Sequence, residues 1–221
     1  MPFVPTGFPV LDRMIAGNGD CKGLPRGGLS LIVGAPGSGK TRILKSICDR
    51  VHASGKLVVW IEPPSLGTRA SFPVVEINTM EDLAHLTASL LHPHKVKERA
   101  DLIVLGDPQL LGVEDDGLAA KSKLFSAIFN RDLGSTAVAM SWQARRNTGE
   151  AFSTRSSQAP AGIGFQARVS LLVSKEGPLF NLKLSNSTVS LAGVSCTIDL
   201  TTPMDRSKIP TRYERILRGR N

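Results

Sequence analysis

Leu29-Ser30-Leu31-Ile32-Val33 runs directly into Gly34-Ala35-Pro36-Gly37-Ser38-Gly39-Lys40-Thr41, after which Ile43, Leu44, Ile47, Cys48 and Val51 recur at the 3.6-residue period. An apolar strand, a glycine-rich turn and an amphipathic helix in that order decide the reading of the chain. The eight residues of the turn complete the pattern G-x-x-x-x-G-K-[ST]. From average residue usage the bare pattern arises in about one chain in a hundred; the flanking strand and helix supply the context that chance would not. Glycines allow successive N–H groups to face one point, and the helix N-terminus adds positive potential there. Gly34, Ala35, Pro36, Gly37, Ser38, Gly39, Lys40 and Thr41 are therefore expected to bind nucleotide phosphates. Lys40 would contact the β- and γ-phosphates and the Thr41 hydroxyl would bind Mg²⁺, so ATP and Mg²⁺ are the expected ligands. The alternative is a glycine-rich turn followed by an exposed lysine.

Outward from this unit, apolar strands alternate with helices. A short helix is expected over Val10–Ala16, followed by a glycine-rich turn through Gly17–Gly28. Strands follow at Leu57–Ile61, Val74–Ile77, Leu102–Leu105 and Thr136–Ser141, the first running into Glu62-Pro63-Pro64. Thr79 opens a helix with Asp82 in capping-box position and Leu83, Leu86 and Leu90 on one face; a further helix is expected over Leu118–Phe129. Val169–Val173, Leu179–Leu184 and Val189–Val194 read as consecutive antiparallel strands, with Gly177 in one turn. Nearly continuous apolar strands separated by helices indicate an α/β fold with a mostly parallel central sheet flanked by helices and antiparallel strands near the C-terminus.

Composition narrows the classes. The chain has 221 residues, enough for one ordinary domain, with 41% hydrophobic and 21% charged residues, which excludes wholesale disorder. Lys and Arg outnumber Asp and Glu by 27 to 19, giving +8 and a pI near 9.8. That balance favours a polyanionic partner, nucleic acid before an anionic membrane surface, over the alternative of a merely solvated basic face. No apolar run is long enough to span a membrane and no signal peptide is visible, so a cytoplasmic protein is expected. Cys21, Cys48 and Cys196 form no CxxC pair and read as reduced thiols. His92-Pro93-His94 lacks further ligands and reads as a basic loop, without zinc.

Hydrolysis needs more than a phosphate cradle. Asp107 ends the strand Leu102–Leu105 in the position of a Walker B acid and is the candidate Mg²⁺ carboxylate beside Thr41. Glu62, at the tip of Leu57–Ile61, would lie on the same carboxyl edge, where ligands of open α/β sheets bind, and is the candidate water-activating base; a surface acid before a Pro-Pro turn is the alternative. The stretch Ala144–Gly162 is too long for an idle connection. Its Arg145, Arg146 and Arg155 suit phosphate contacts and Phe152 could stack on bases; a solvated loop is the alternative.

Thr6-Gly7-Phe8-Pro9-Val10-Leu11-Asp12, Gly23-Leu24-Pro25-Arg26-Gly27 and the P-loop together resemble the opening of the RecA-like recombinase core, with similar openings in RadA and KaiC-type proteins. Val58–Glu62 resembles the strand carrying that family's catalytic glutamate and Leu102–Asp107 its Walker B strand. Gly117–Lys121 is similar to a helix start after the first DNA-binding loop. Ser141-Trp142-Gln143-Ala144-Arg145 resembles the strand end that places a γ-phosphate-sensing glutamine, and Gly162–Phe165 with Arg168–Val173 the exit from the second DNA-binding loop. The resemblance implies a RecA-like P-loop NTPase core, ATPase activity with Glu62, Lys40 and Gln143 in catalytic roles, and Arg69 against the adenine. It places the first DNA loop at Gln109–Asp116, where Glu114, Asp115 and Asp116 make a poor phosphate binder.

Three departures qualify it. Only Met1–Pro5 is available where recombinases carry a polymerisation segment, and no RecA-type C-terminal domain is expected. Ser185 and Ser187 stand where lysines would reach a neighbour's nucleotide, with Lys183 on the same strand face as a substitute. The expected organisation is an ATPase core over residues 1–204 and a basic tail over 205–221. In the tail six cationic residues oppose Asp205 and Glu214 for a net +4, and a short amphipathic helix can start at Pro210. The expected function is an ATP-dependent protein binding single-stranded DNA in recombination or repair, as a minimal recombinase or accessory paralogue, assembling as a filament or ring. A ring-forming helicase or packaging motor, a KaiC-like signalling ATPase and an ATPase accessory to translesion synthesis are the alternatives.

Overall fold

The computed structural model describes residues 2–17, 23–91, 99–111, 134–144, 167–187 and 193–201. A two-residue ribbon joins β1 (Phe3–Val4) to β2 (Leu24–Pro25), antiparallel, and helix α1 (Pro9–Ala16) lies between them in sequence. The main sheet contains β3 (Gly28–Gly34), β4 (Val58–Glu62), β5 (Val74–Glu76), β6 (Leu102–Leu105), β7 (Ala137–Gln143), β8 (Ala167–Glu176), β9 (Leu179–Ser187) and β10 (Ser195–Asp199). Their spatial order is β10-β9-β8-β3-β7-β6-β4-β5. From β8 through β5 every neighbouring pair is parallel, and β8-β9-β10 extend the sheet antiparallel. This is the α/β architecture that the strand–helix alternation implies.

Residues along β3 are buried throughout, as a strand covered on both faces must be. On one face α1 and α2 (Lys40–Ala53) pack Leu11, Ile43, Leu44 and Ile47 against Ile32, Ala139, Leu171 and Leu182. On the other, Leu29, Leu31, Val33, Val138 and Met140 form a second core with Leu83 of helix α3 (Met80–Leu91). Cys48 falls on the buried face of α2, as its periodicity requires. The Thr79 capping box is reciprocal: the Asp82 N–H donates to Thr79 Oγ1 at 3.0 Å and the Thr79 N–H to Asp82 Oδ2 at 3.2 Å. Asp12 has the same local logic. Its carboxylate accepts from the Thr6 N–H at 2.9 Å and hydroxyl at 2.7 Å, so the Thr6-Gly7 turn is pinned to α1, and burial pushes the Asp12 carboxyl above its ordinary value against those bonds.

The last described strand is Ser195–Asp199; of the expected Val189–Val194, residues 189–192 lie outside the described residues, and Val194, 46% exposed, precedes this strand. Register is set by the face that must be buried: Cys196 pairs with Leu182 and Ile198 with Phe180, both turned toward the core, while Gly193 and Val194 bond Leu184 before the strand begins. The ribbon β1–β2 was not anticipated, since two-residue strands carry no period. The expected helix at 118–129, the loops at 145–162 and the tail at 205–221 lie outside the described residues.

Phe180 ties the antiparallel extension to the rest. Its ring is buried, and a Cβ at Gly39 would lie 2.1 Å from it. Phe180→Ala should lower unfolding free energy by about 3–5 kcal/mol, read by denaturant titration, whereas Leu179→Ala on the exposed side should stay within about 0.5 kcal/mol of the parent.

Candidate active site

Parallel register brings the predicted chemistry to one edge. Gly34 pairs with Gln143 across β3–β7, and Ile61, Leu105 and Met140 stand side by side across β4–β6–β7. Gln143, and Glu62 and Asp107 just beyond Ile61 and Leu105, therefore share the carboxyl edge with the P-loop.

The loop is shaped by what it lacks at Gly39. This residue caps α2 at φ 91°, a left-handed conformation, with the Phe180 ring where a side chain would begin. Helix α2 then starts at Lys40, so its unpaired N–H groups face the loop. Lys40 is 6% exposed, and its ammonium donates to the carbonyls of Gly34 at 3.1 Å and Ala35 at 3.0 Å. Burial lowers its pKa from the ordinary lysine value, and the charge of Asp107 acts the other way, which places the two groups within electrostatic reach. The buried Ser38 hydroxyl has no hydrogen-bond partner. An orphaned donor, a cation held only by neutral carbonyls and a helix N-terminus fit the phosphates of a nucleotide. Thr41 is half-buried on the first turn of α2.

Asp107 follows Leu105-Gly106 and adopts φ 41°, the one non-glycine with positive φ among the described residues. Aspartate tolerates this conformation, and a reciprocal pair of bonds holds it: the Asp107 N–H donates to Ser141 Oγ at 2.7 Å and that hydroxyl donates to Asp107 Oδ1 at 2.9 Å. A 3₁₀ turn, Pro108–Leu110, then presents Gln109 to Gln143. The Gln143 N–H donates to Gln109 Oε1 at 3.0 Å and Gln109 Nε2 donates to Gln143 Oε1 at 3.3 Å. The root of the first expected loop is thereby sewn to the strand end that leads to the second.

Glu62 is 1% exposed. Its Oε2 accepts from Trp60 Nε1 at 2.7 Å and from the Thr68 hydroxyl at 2.5 Å, and its Oε1 from the Thr68 N–H at 2.5 Å. Trp60 in turn lies against Gly106, where a Cβ would come within 3.0 Å of the indole nitrogen. Arg69 is exposed, directly after Thr68. On the flank of β3 opposite β7, a groove of ≈ 490 Å³ runs between the P-loop, Leu172–Lys175 and Asn181–Lys183. Lys183 lies exposed on the same face as Ser185, as strand alternation predicts, and lines this groove beside its own P-loop. Sequence reasoning missed Thr68, Ser141, Gln109 and Phe180 as partners of the site; no local pattern marks any of them. Arg145, Arg146, Phe152 and Arg155 lie outside the described residues.

A mostly parallel sheet with a P-loop after its central strand and an antiparallel extension on one side is the RecA-like α/β fold. The fold is like that of the crystal structure of the RadB recombinase, with a TM-score of 0.68 over 90% of this chain and 96% of that one at 15% identity. In sequence the chain is 34% identical to the DNA repair protein RadA of Aquifex aeolicus (strain VF5) over 110 residues, which is 48% of this chain and 23% of that protein. The chain thus spans less than a quarter of the length of this curated relative. No protein-family model matches it. Among the described residues no helix is long and apolar enough to cross a membrane.

Ser141→Ala leaves the Asp107 N–H without its acceptor in a half-buried turn. It should cost about 1–3 kcal/mol of stability, measured by chemical unfolding.

Proposed function

We propose that this protein is an ATP-dependent, nucleic-acid-binding RecA-like protein of DNA recombination or repair, acting on single-stranded DNA as a minimal recombinase or accessory paralogue. One observation carries the reading: the P-loop, Asp107, Glu62 and Gln143 converge on a single sheet edge. Sequence likeness to a DNA repair protein named RadA supports the biological setting.

In this reading Lys40 exchanges the carbonyls of Gly34 and Ala35 for phosphate oxygens, a stronger, charge-assisted set of acceptors. Thr41 and Asp107 would hold Mg²⁺, which when bound neutralises charge on the phosphates. Glu62 orients or deprotonates the attacking water. Gln143 senses the terminal phosphate and passes its state to the segment beginning at Arg145, where Arg145, Arg146, Phe152 and Arg155 meet the DNA backbone and bases. Arg69 lies against the base. The core extends over residues 1–204 and the basic tail over 205–221, and the protein works as a homo-oligomer.

Lys40→Ala should abolish ATP binding in calorimetry, and Glu62→Gln should retain binding while losing turnover; hydrolysis by Glu62→Gln at the parent rate would remove Glu62 from this role. ATP affinity should hold near neutral pH and fall as pH rises through a value below the 10.5 of an ordinary lysine, because burial already disfavours the Lys40 ammonium that the phosphates require. Binding to single-stranded DNA should weaken with salt at a log–log slope of about −0.7 per phosphate contact. Replacing Arg145, Arg146 and Arg155 by alanine should flatten that slope, and an unchanged slope moves the DNA surface elsewhere.

A further inference from the structure

A water-activating carboxylate must reach its water at about 2.6–3.2 Å, and Glu62 in this structure is enclosed and mostly taken up by its own donors. A carboxylate offers about four acceptor positions; three are filled by Trp60 Nε1, the Thr68 hydroxyl and the Thr68 N–H, and the residue is 1% exposed. The donors differ in kind. Trp60 is fixed: it sits within β4, fully buried, packed between Phe72 at 6.1 Å and Gly106. Thr68 is half-buried in the irregular segment that joins β4 to β5. It is preceded by Gly67 at φ 53°, with open space around its Cβ position, and followed by exposed Arg69 and Ala70. Gly67, Arg69 and Ala70 around Thr68 are exposed, so a local change there can withdraw Thr68, whereas Trp60 cannot move without disturbing the core.

We infer that Thr68 is a positioning residue that latches Glu62 away from the phosphate site at rest, and that movement of the largely exposed segment 67–70 frees the carboxylate for catalysis. The inference rests on the assignment of Glu62 as the water-activating group. It gives the segment a double duty, since Arg69, the residue assigned to the base, adjoins the latch. Nucleotide engagement by Arg69 and release of Glu62 by Thr68 then form one motion, which restricts hydrolysis to the occupied site.

The test uses the full chain, with ATP turnover and the indole N–H resonances of the two tryptophans as readouts. Trp142→Phe identifies the Trp60 signal. In the unaltered protein, a non-hydrolysable ATP analogue with Mg²⁺ should shift the Trp60 resonance as its carboxylate acceptor leaves. Thr68→Val, which keeps the shape and removes the hydroxyl donor, should display that shift without nucleotide. It should raise kcat about tenfold, the worth of one hydrogen bond to a charged group, with KM unchanged. Thr68→Ser should restore parental behaviour. Analogue binding with an unmoved Trp60 resonance, or a kcat in Thr68→Val at or below the parent value, would overturn the latch while leaving the ATPase assignment intact. Failure of the unaltered protein to bind the analogue would overturn the underlying reading and the latch with it. Should Thr68→Val not fold, the Trp60 resonance of the unaltered protein decides alone.

Discussion

Parallel pairing of β3, β7, β6 and β4 is the constraint from which the rest of the structure follows. Two parallel strands cannot be joined by a tight turn, so every connection between them must cross over and return to the same end. The carboxyl ends therefore accumulate on one edge, and residues far apart in sequence meet there: Ser141 bonds Asp107 and Gln143 bonds Gln109, each across 34 positions. Burial of both faces fixes the register, since a slip of one residue would turn Val104 and Ile103 to the wrong cores. The site is thus a by-product of core packing, with its reach set by side chains at the strand tips.

Within that frame the P-loop is held in shape by contacts of its own chain. Phe180 closes over Gly39, so the antiparallel β8–β9 pair supports the turn that precedes α2, and Arg42 stacks over the same ring at 5.4 Å. The Lys40 ammonium satisfies itself on two loop carbonyls in the meantime. A cation that is buried, partnered only by neutral acceptors and depressed in pKa is poised to gain from an anionic ligand. Glu62 is at the opposite extreme, with donors already in place from Trp60 and Thr68. The two ends of the site are therefore prepared differently, one waiting for a charge and the other withheld from it.

What could be read from the sequence was what short-range pattern encodes. The P-loop is contiguous, and Glu62 and Asp107 follow apolar strands, so their common edge followed from the α/β alternation, while Gln143 was placed there only by resemblance to the RecA-like core. Thr6 and Asp12 belonged to a recognisable stretch, although the hydrogen bonds that make it a structural clasp emerged only in three dimensions. The contacts that Thr68, Ser141, Gln109 and Phe180 make to the site could not be read because they depend on tertiary neighbours, and Thr and Ser serve equally well on any polar surface. The strand Ser195–Asp199 was not singled out for a related reason: a short run such as Cys196–Ile198 carries little period, and only pairing with Leu182 and Phe180 marks it. Placement of the DNA contacts rested on residues 145–162, which lie outside the described residues.

The central claim is that this sheet edge binds a nucleoside triphosphate through the P-loop, and a crystal structure of the protein with a non-hydrolysable ATP analogue and Mg²⁺ tests it most directly. The account predicts the triphosphate on the loop, with Lys40 Nζ withdrawn from the Gly34 and Ala35 carbonyls and bonded to phosphate oxygen. Analogue bound elsewhere, with Lys40 still donating to its own loop, would contradict it.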